Sequence, residues 1–471
     1  MVCYECSRCG YDFETMQKLK RHQTKNDCHT KVQDLRAKVS SLEAELASIR
    51  SPVIVQPPKL KFIDLFCGIG GFHQALTSLG AECVLACDID EKCREVYKDN
   101  YGLEPKTDVT KLVSAEIPDF DILCAGFPCQ AFSHAGHQNG FDDTRGTLFR
   151  DICRILREKK PKYFLLENVK NLKGHDKGNT WKTIYKCLLE SGYTTYETPI
   201  VVSPHQLGIP QHRERVMIMG WRNDVLPEGG LPVLPKMSPS SSVSIKSILT
   251  DDGDVPDGTK LSPGDIECLT LWEEMIQHFK ARGVKLPTFP MWSNDWDSTY
   301  DLTEVIATEE EEEEESEEDE EEEDVKTSFK IPEWKQKFIR QNREFYASNI
   351  AFLGPWLLRA RACASFTGAK RKFEWQAGKF QTDDSIWNLL FQFRPSGIRV
   401  KRATYSPALV AMAQIVYVGE KKRKLSPREV ARLQSFPDTF KMPASAGTAY
   451  KQFGNSVNVE VIKWAAKQVI G

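Results

Sequence analysis

Asp121-Ile122-Leu123-Cys124-Ala125-Gly126-Phe127-Pro128-Cys129-Gln130-Ala131-Phe132-Ser133 contains a strand, a break and a reactive group in succession. Ile122 to Ala125 is a short apolar run, the pattern of a strand buried on both faces of a parallel sheet. Gly126 frees the backbone, and Pro128 ends the strand and fixes the approach to Cys129. A cysteine just past the carboxyl end of a strand stands where open α/β sheets take their ligands. Intracellular cysteines are more often small core residues than nucleophiles, so Cys129 needs support from the rest of the chain.

Upstream, Leu60 to Phe66 reads as another strand, followed by Cys67-Gly68-Ile69-Gly70-Gly71 and a helical stretch to Leu79. Glycines in such a turn let backbone approach a ligand at a helix N-terminus. Their spacing is not the G-x-G-x-x-G of nicotinamide-binding folds. The next strand, Cys83 to Cys87, ends in Asp88 and Ile89. A carboxylate about twenty residues past the glycines is placed for a ribose hydroxyl pair, and Asp108 in Thr107-Asp108-Val109 is a second acceptor. With Phe66 for aromatic packing and no phosphate cradle, this set fits S-adenosylmethionine.

Downstream, a helix from Gly146-Thr147-Leu148-Phe149 to Glu158 precedes a strand over Pro161 to Leu166, with Glu167-Asn168-Val169 at its end. A carboxylate after such an apolar run is partly desolvated, which raises its pKa. Gln211, Arg213 and Arg215 alternate ahead of a strand from Val216 to Gly220. Alternate residues share one face of extended chain, so all three are expected toward one ligand. The glycine turn, Asp88, Cys129 and Glu167 thus stand at the carboxyl ends of successive strands. That convergence makes Cys129 a candidate nucleophile.

The chain has 471 residues, too many for one ordinary core. Its net charge is −3, yet residues 309–324 hold 15 acidic side chains and one serine, and leaving those 15 out turns −3 into +12. A body with that excess suits a polyanionic partner. The acidic run itself is expected as a solvated, disordered loop that repels DNA or shields a basic face. The 14 cysteines form no secreted disulfide framework, and Cys83, Cys124, Cys153 and Cys187 lie singly in apolar segments. With no signal sequence and no apolar stretch of membrane-spanning length, the expectation is a soluble, intracellular protein with reduced thiols.

The first thirty residues read as a separate unit. Tyr4, Cys6, Cys9, Phe13, Leu19, His22 and Cys28 stand at the spacing of a ββα zinc finger, with Cys6, Cys9, His22 and Cys28 as ligands. His29 is an alternative last ligand, and Cys3 a competitor for Cys6. One finger covers about three base pairs, so a DNA clamp and a protein contact are equally open. Over 31–50, Val32, Leu35, Val39, Leu42, Leu46 and Ile49 recur at steps of three and four. That is a heptad seam suited to a parallel homodimer, or one amphipathic helix lying on the body. Residues 51–59 are a proline-bearing linker.

Six stretches together resemble the ordered motif set of bacterial-type DNA cytosine-5 methyltransferases. They are Asp64 to Gly71, Gly126 to Gln130, Glu167 to Val169, Gln211 to Arg215, Leu425-Ser426-Pro427-Arg428-Glu429 and Gly454-Asn455-Ser456-Val457. The resemblance spans roughly Lys59 to Asn223 and Lys424 to Gly471. It implies an α/β fold: a mixed, mostly parallel seven-stranded sheet with helices on both faces, formed by 60–224 and a return segment, 423–471. Between them, 225–422 stands where the family places target recognition. It implies methyl transfer from S-adenosylmethionine to carbon 5 of cytosine in double-stranded DNA, with the base flipped out.

By that resemblance Cys129 adds to carbon 6 of the ring, and protonated Glu167 meets nitrogen 3. Arg213 and Arg215 hold the base and its phosphate, and Ser133 lies beside the flipped nucleotide. Phe66, Gly68, Ile69, Gly70, Gly71, Asp88, Ile89, Asp108, Val109, Pro128, Leu148, Asn455 and Ser456 line the cofactor site. Within the recognition region, basic and aromatic residues mingle from Trp334 through Trp356 to Trp375, about half of the tryptophans being expected in a core. Arg394, Arg399, Lys401 and Arg402, around a glycine break, are the expected base readers, since arginine is the commonest reader of guanine. Two rivals stand beside this reading: a tRNA methyltransferase with the same catalytic set, and a non-catalytic DNA-binding regulator.

Overall fold

The computed structural model describes residues 4–6, 12–24, 33, 35–43, 59–128, 147–238, 243–251, 255, 258–302, 331–409 and 414–471. They fall into two compact units, Met1–Lys59 and Leu60–Gly471. In the first, β1 (Tyr4–Glu5) and β2 (Asp12–Phe13) pair antiparallel and α1 (Met16–Thr24) follows, the expected ββα order. Cys6 and Leu19 are buried there. Residues 35–43 form a helix, α2. Its Leu35, Val39 and Leu42 are all exposed. Cys9, Cys28, Val32, Leu46, Ile49 and residues 51–58 of the linker lie outside the described residues.

The second unit begins with β3 (Lys61–Leu65), α3 (Gly71–Thr77), β4 (Glu82–Cys87), α4 (Glu91–Tyr101), β5 (Ile122–Gly126), α5 (Thr147–Lys159), β6 (Tyr163–Val169), α6 (Asn179–Glu190), β7 (Tyr193–Thr195), β8 (Ile200–Val202) and β9 (Arg215–Arg222). The strands form one sheet in the order β4-β3-β5-β6-β9-β7, and β8 also pairs with β9. β3, β4, β5 and β6 pair in parallel, and β9 runs against β6, β7 and β8. This is the expected mixed seven-stranded sheet.

Alternation along the strands divides the core. Phe62, Cys124 and Leu165 face one hydrophobic layer, while Ile63, Leu123 and Leu166 face another. A strand buried on both sides must be apolar at every position, which is why β5 reads as a continuous run. β6 extends past the expected end at Leu166, because β9 pairs with it as far as Val169 opposite Arg215. Glu167 therefore lies inside the strand. Cys153 and Cys187, single in their own sequence segments and both free thiols, meet between α5 and α6.

The chain returns through α10 (Pro427–Leu433), α11 (Ala446–Asn455) and α12 (Val459–Ile470). α12 has the bounds expected from sequence, and its Val461, Ile462, Ala465 and Ala466 complete the layer that contains Phe62. A buried ion pair anchors this return. Arg423 donates to both oxygens of Glu429 at 2.8 Å, and the Thr250 and Ser426 amides donate to the same carboxylate. Four donors offset the desolvation of a carboxylate with no solvent exposure, and they hold the chain near residue 250 against its return near 425.

Between these points lies a second sheet, of β10 (Met291–Trp292), β11 (Lys372–Trp375), β12 (Leu390–Arg394), β13 (Gly397–Lys401), β14 (Tyr417–Val418) and β15 (Arg423–Lys424), in the order β10-β11-β13-β12-β14-β15. α7 (Pro263–Ala281), α8 (Glu333–Ser348) and α9 (Ile350–Ala362) accompany it. Trp272 stacks on Phe373 at 4.8 Å and meets Trp356 at 5.0 Å in this domain's core. Trp356 and Trp375 are core residues, whereas Trp334 is 61% exposed. The acidic run lies outside the described residues. Among the described residues no helix is long and apolar enough to cross a membrane.

Candidate active site

The glycines after β3 serve different ends. A methyl group on Gly70 would lie 2.2 Å from the Tyr101 ring, and one on Gly71 would lie 2.5 Å from Val457 and 3.1 Å from the Ser456 hydroxyl. Those two glycines admit neighbouring protein. At Gly68 (φ +51°) nothing lies within 4 Å of the same position. Gly68 is the glycine open to a ligand. Phe66 before it has a positive φ of 55°, an uncommon conformation for a bulky residue and one that gathers at functional sites.

Asp88 is oriented toward this turn. The Gly68 amide donates to its Oδ2 at 2.7 Å and the Asp90 amide to its Oδ1 at 2.8 Å. Burial raises its pKa, while those amides oppose the shift. Each oxygen keeps a lone pair for a further donor. Ile89, next to it, is 80% exposed and offers an apolar surface. Asp108 caps a short turn, and the Thr110 hydroxyl and amide hold its carboxyl below the usual range. Val109 is buried among Leu85 and Cys87, and Leu148 is partly buried against the same layer. An open glycine, an oriented carboxylate and an apolar plate without a phosphate cradle fit S-adenosylmethionine. Pro128 and Asn455 are exposed. Ser456 is buried and donates to the Val457 carbonyl.

Sequence reasoning overlooked His73 behind this turn. Its Nδ1 lies 2.6 Å from the Tyr97 hydroxyl and its ring stacks on Tyr101. Burial lowers its pKa to about 4, so it is a neutral part of the wall.

At the carboxyl end of β5, Gly126 stands opposite Glu167 of β6. A methyl group on Gly126 would lie 3.6 Å from Val457 and 3.7 Å from Glu167 Oε2. Glu167 Oε1 pairs with Arg215 Nε at 3.0 Å, and both side chains are largely buried. Desolvation raises the pKa of Glu167, and the positive charges of Arg215 and Arg213 oppose the rise. Asn168 also escaped notice as a site residue. Its amide donates to the Phe127 carbonyl at 2.9 Å, which fixes the backbone two residues before Cys129. The cue was its place beside Glu167. Cys129 and Ser133 lie outside the described residues, whereas Cys124 is fully buried with its thiol pKa well raised by desolvation.

Arg213 and Arg215 line one cavity with Glu167, whereas Gln211 is not part of that lining. Arg213 is buried and donates to the carbonyls of Leu409 at 2.6 Å, Gly454 at 2.8 Å and Ser456 at 3.1 Å. It fastens the return segment beside Glu167. Gln211 is fully buried, and its side-chain amide has no hydrogen-bond partner among the described residues. Arg215 alone of the three pairs with Glu167.

The model of the C-5 cytosine-specific DNA methylase family matches residues 60–471. The chain belongs to that family. The type II methyltransferase M.AluI of Cellulosimicrobium cellulans is 34% identical over 86% of this chain and 91% of that protein. M.HhaI of Haemophilus parahaemolyticus is 32% identical over 87% and 94%, and M.HpaII of Haemophilus parainfluenzae 32% over 88% and 89%. This methyltransferase therefore methylates carbon 5 of cytosine in DNA, and membership brings S-adenosylmethionine as the methyl donor. Gly68 and Asp88 stand together at the turn after β3, and Glu167 with Arg215 at the end of β6.

In the second sheet, Arg399 Nε lies 2.7 Å and Arg394 Nη1 3.5 Å from the same oxygen of Glu374. Lys401 is half-buried beside them, and burial lowers its pKa. Arg402 is fixed by Asp384 and by the Lys379 carbonyl. Among the described residues no group of three or more His, Cys, Asp or Glu could hold a metal ion. Of the four candidate zinc ligands, Cys6 and His22 are described.

Proposed function

We propose that the methyltransferase acts through a covalent bond between Cys129 and a cytosine turned out of the duplex, with Glu167 and Arg215 holding the base. The observation that carries this reading is the register of β5 and β6. Gly126 lies opposite Glu167, and Cys129 follows Gly126 by three residues in sequence.

The Cys129 thiolate adds to carbon 6 of the ring. Glu167, which burial favours in its protonated form, donates to nitrogen 3 and takes up the charge that this addition develops. Arg215 keeps the Glu167 carboxyl in place. When bound, S-adenosylmethionine supplies an electrophilic methyl group to carbon 5. A base then removes the carbon-5 proton, and the electrons of that bond expel the thiolate and restore the ring. An ordinary thiol has a pKa of about 8.5, leaving a few per cent ionised at neutrality. Extruding the base costs a few kcal/mol, which contacts of the second sheet through Arg394, Arg399 and Lys401 would offset.

Three accessory readings accompany it. Cys6, Cys9, His22 and Cys28 would hold one zinc ion, a reading supported by the ββα order and the buried Cys6 and Leu19. Zinc content near one equivalent in the full chain, lost on His22→Ala, is the expected result. The heptad spacing of Leu35, Val39 and Leu42 in α2 supports a homodimer through residues 31–50, with one amphipathic helix lying on the body as the alternative. Because its relatives are type II methyltransferases, the chain is read as the modification partner of a restriction enzyme.

A duplex carrying 5-fluorocytosine at the target has no removable proton at carbon 5, so with cofactor the reaction stops as a protein–DNA adduct. Peptide mapping should place that adduct on Cys129. Cys124→Ser should still be trapped, and Cys129→Ser should bind DNA without trapping. An adduct on Cys124, or near-normal methylation by Cys129→Ser, would refute the mechanism. Duplex DNA and tRNA offered side by side should show methyl transfer to DNA only.

A further inference from the structure

We infer that Glu374 determines sequence specificity by positioning Arg399 and Arg394 for the paired acceptors of a guanine edge. The inference rests on the reading that this face of the second sheet meets DNA.

The register places Glu374 of β11 opposite Arg399 of β13, and Arg399 opposite Gln392 of β12. Alternation then separates two faces. Phe373, Trp375, Ile398, Val400 and Phe391 enter the tryptophan core. Lys372, Glu374, Arg394, Arg399 and Lys401 occupy the other face, which thus carries four cations and one carboxylate. Leu390, on that same face, packs into the core layer of the seven-stranded sheet. The charged face is therefore turned toward the catalytic body and not toward α7 and α9.

A guanidinium presents its donors in a rigid fork. Glu374 Oε2 holds Arg399 by Nε at 2.7 Å, so the two terminal nitrogens project together. That end-on pair matches O6 and N7 of guanine in the major groove. The side chains of Arg394, Arg399 and Glu374 are only 21%, 25% and 21% exposed, so water solvates these charges poorly, and one carboxylate does not balance four cations. Arg402 shows the contrast, because Asp384 and the Lys379 carbonyl engage both of its terminal nitrogens. The hairpin is also sterically fixed. Gly397 has φ +118°, and a methyl group there would lie 2.7 Å from the Lys372 backbone.

The test uses the full chain and a duplex library with every base varied around cytosine, read by bisulfite sequencing. Thermal unfolding and cofactor binding are measured on the same proteins. Glu374→Ala should lower the preference for the best site over single-guanine mismatches by about fivefold or more, the range of one bidentate contact. Its unfolding temperature and cofactor affinity should stay near wild type. Glu374→Gln keeps an acceptor for Arg399 Nε and should retain most of the preference, even if the alanine variant fails to fold. Wild-type preference in a folded Glu374→Ala, or equal loss in Glu374→Gln and Glu374→Ala, overturns the positioning role. Arg399→Ala separates this from the underlying reading. If it relaxes choice at one guanine while Glu374→Ala does not, only the positioning role fails. If it weakens all sequences alike, or changes nothing, base reading by this face fails too.

Discussion

The proposed role of Glu167 as donor to nitrogen 3 requires its protonated form, and its surroundings set the pH at which that form is held. Burial raises its pKa while Arg215 and Arg213 pull the other way. The protonated fraction falls as pH rises through that raised value, whereas the thiolate fraction of Cys129 grows over the same direction. A single-turnover pH profile should therefore fall on both sides of a maximum. Glu167→Gln cannot lose a proton at that position, so its profile should lack the alkaline fall. Its rate should drop by about 10²–10⁴, the usual contribution of a positioned acid, with DNA binding retained. A Glu167→Gln protein that keeps the alkaline fall would assign that limb to another group.

At the scale of elements, the site is where three pieces of chain are clamped together. The strand-to-helix turn after β3 meets the return segment at Gly71 and Val457, and Arg213 ties that segment to the β9 end of the sheet through three carbonyls. Two neighbouring glycines should respond in opposite ways. Gly71→Ala forces its methyl group against Val457, so it should lose about 1–3 kcal/mol of stability, as overpacking does. Gly68→Ala meets no protein atom within 4 Å. It should unfold with only the strain of a left-handed residue, about 1–2 kcal/mol, yet bind S-adenosylmethionine poorly. Calorimetric unfolding and cofactor titration of both variants distinguish packing from ligand clearance, and equal cofactor affinity in Gly68→Ala and wild type would contradict the assignment.

For the whole molecule the governing feature is charge distribution. The acidic side chains of 309–324 hide an excess of positive charge elsewhere in the chain. Lys372, Arg394, Arg399 and Lys401 concentrate part of it on one face of the second sheet. Deleting 309–324 should leave the methylated site unchanged and raise affinity for random duplex at low salt, with the difference closing as salt rises. Binding measured across a salt series checks this, and unchanged or weaker low-salt binding would count against shielding.

The order of strands and helices in the seven-stranded sheet, the apolar β5 and the bounds of α12 were legible because each rests on local spacing. Period and turn residues act over a few positions, and a continuous apolar run already states that a strand is buried twice. Partnership across the fold was not legible. Nothing near Arg213 shows that it will bind carbonyls 196, 241 and 243 residues away, and equal glycines in one turn gave no sign that Gly68 alone faces open space. Trp334 and Trp356 look alike in sequence, yet one is 61% exposed and the other fully buried. Glu374 drew no notice, since only the register of β11 on β13 sets it against Arg399. Side-chain chemistry is local, whereas the neighbour that employs it comes from distant chain, and only tertiary packing chooses that neighbour.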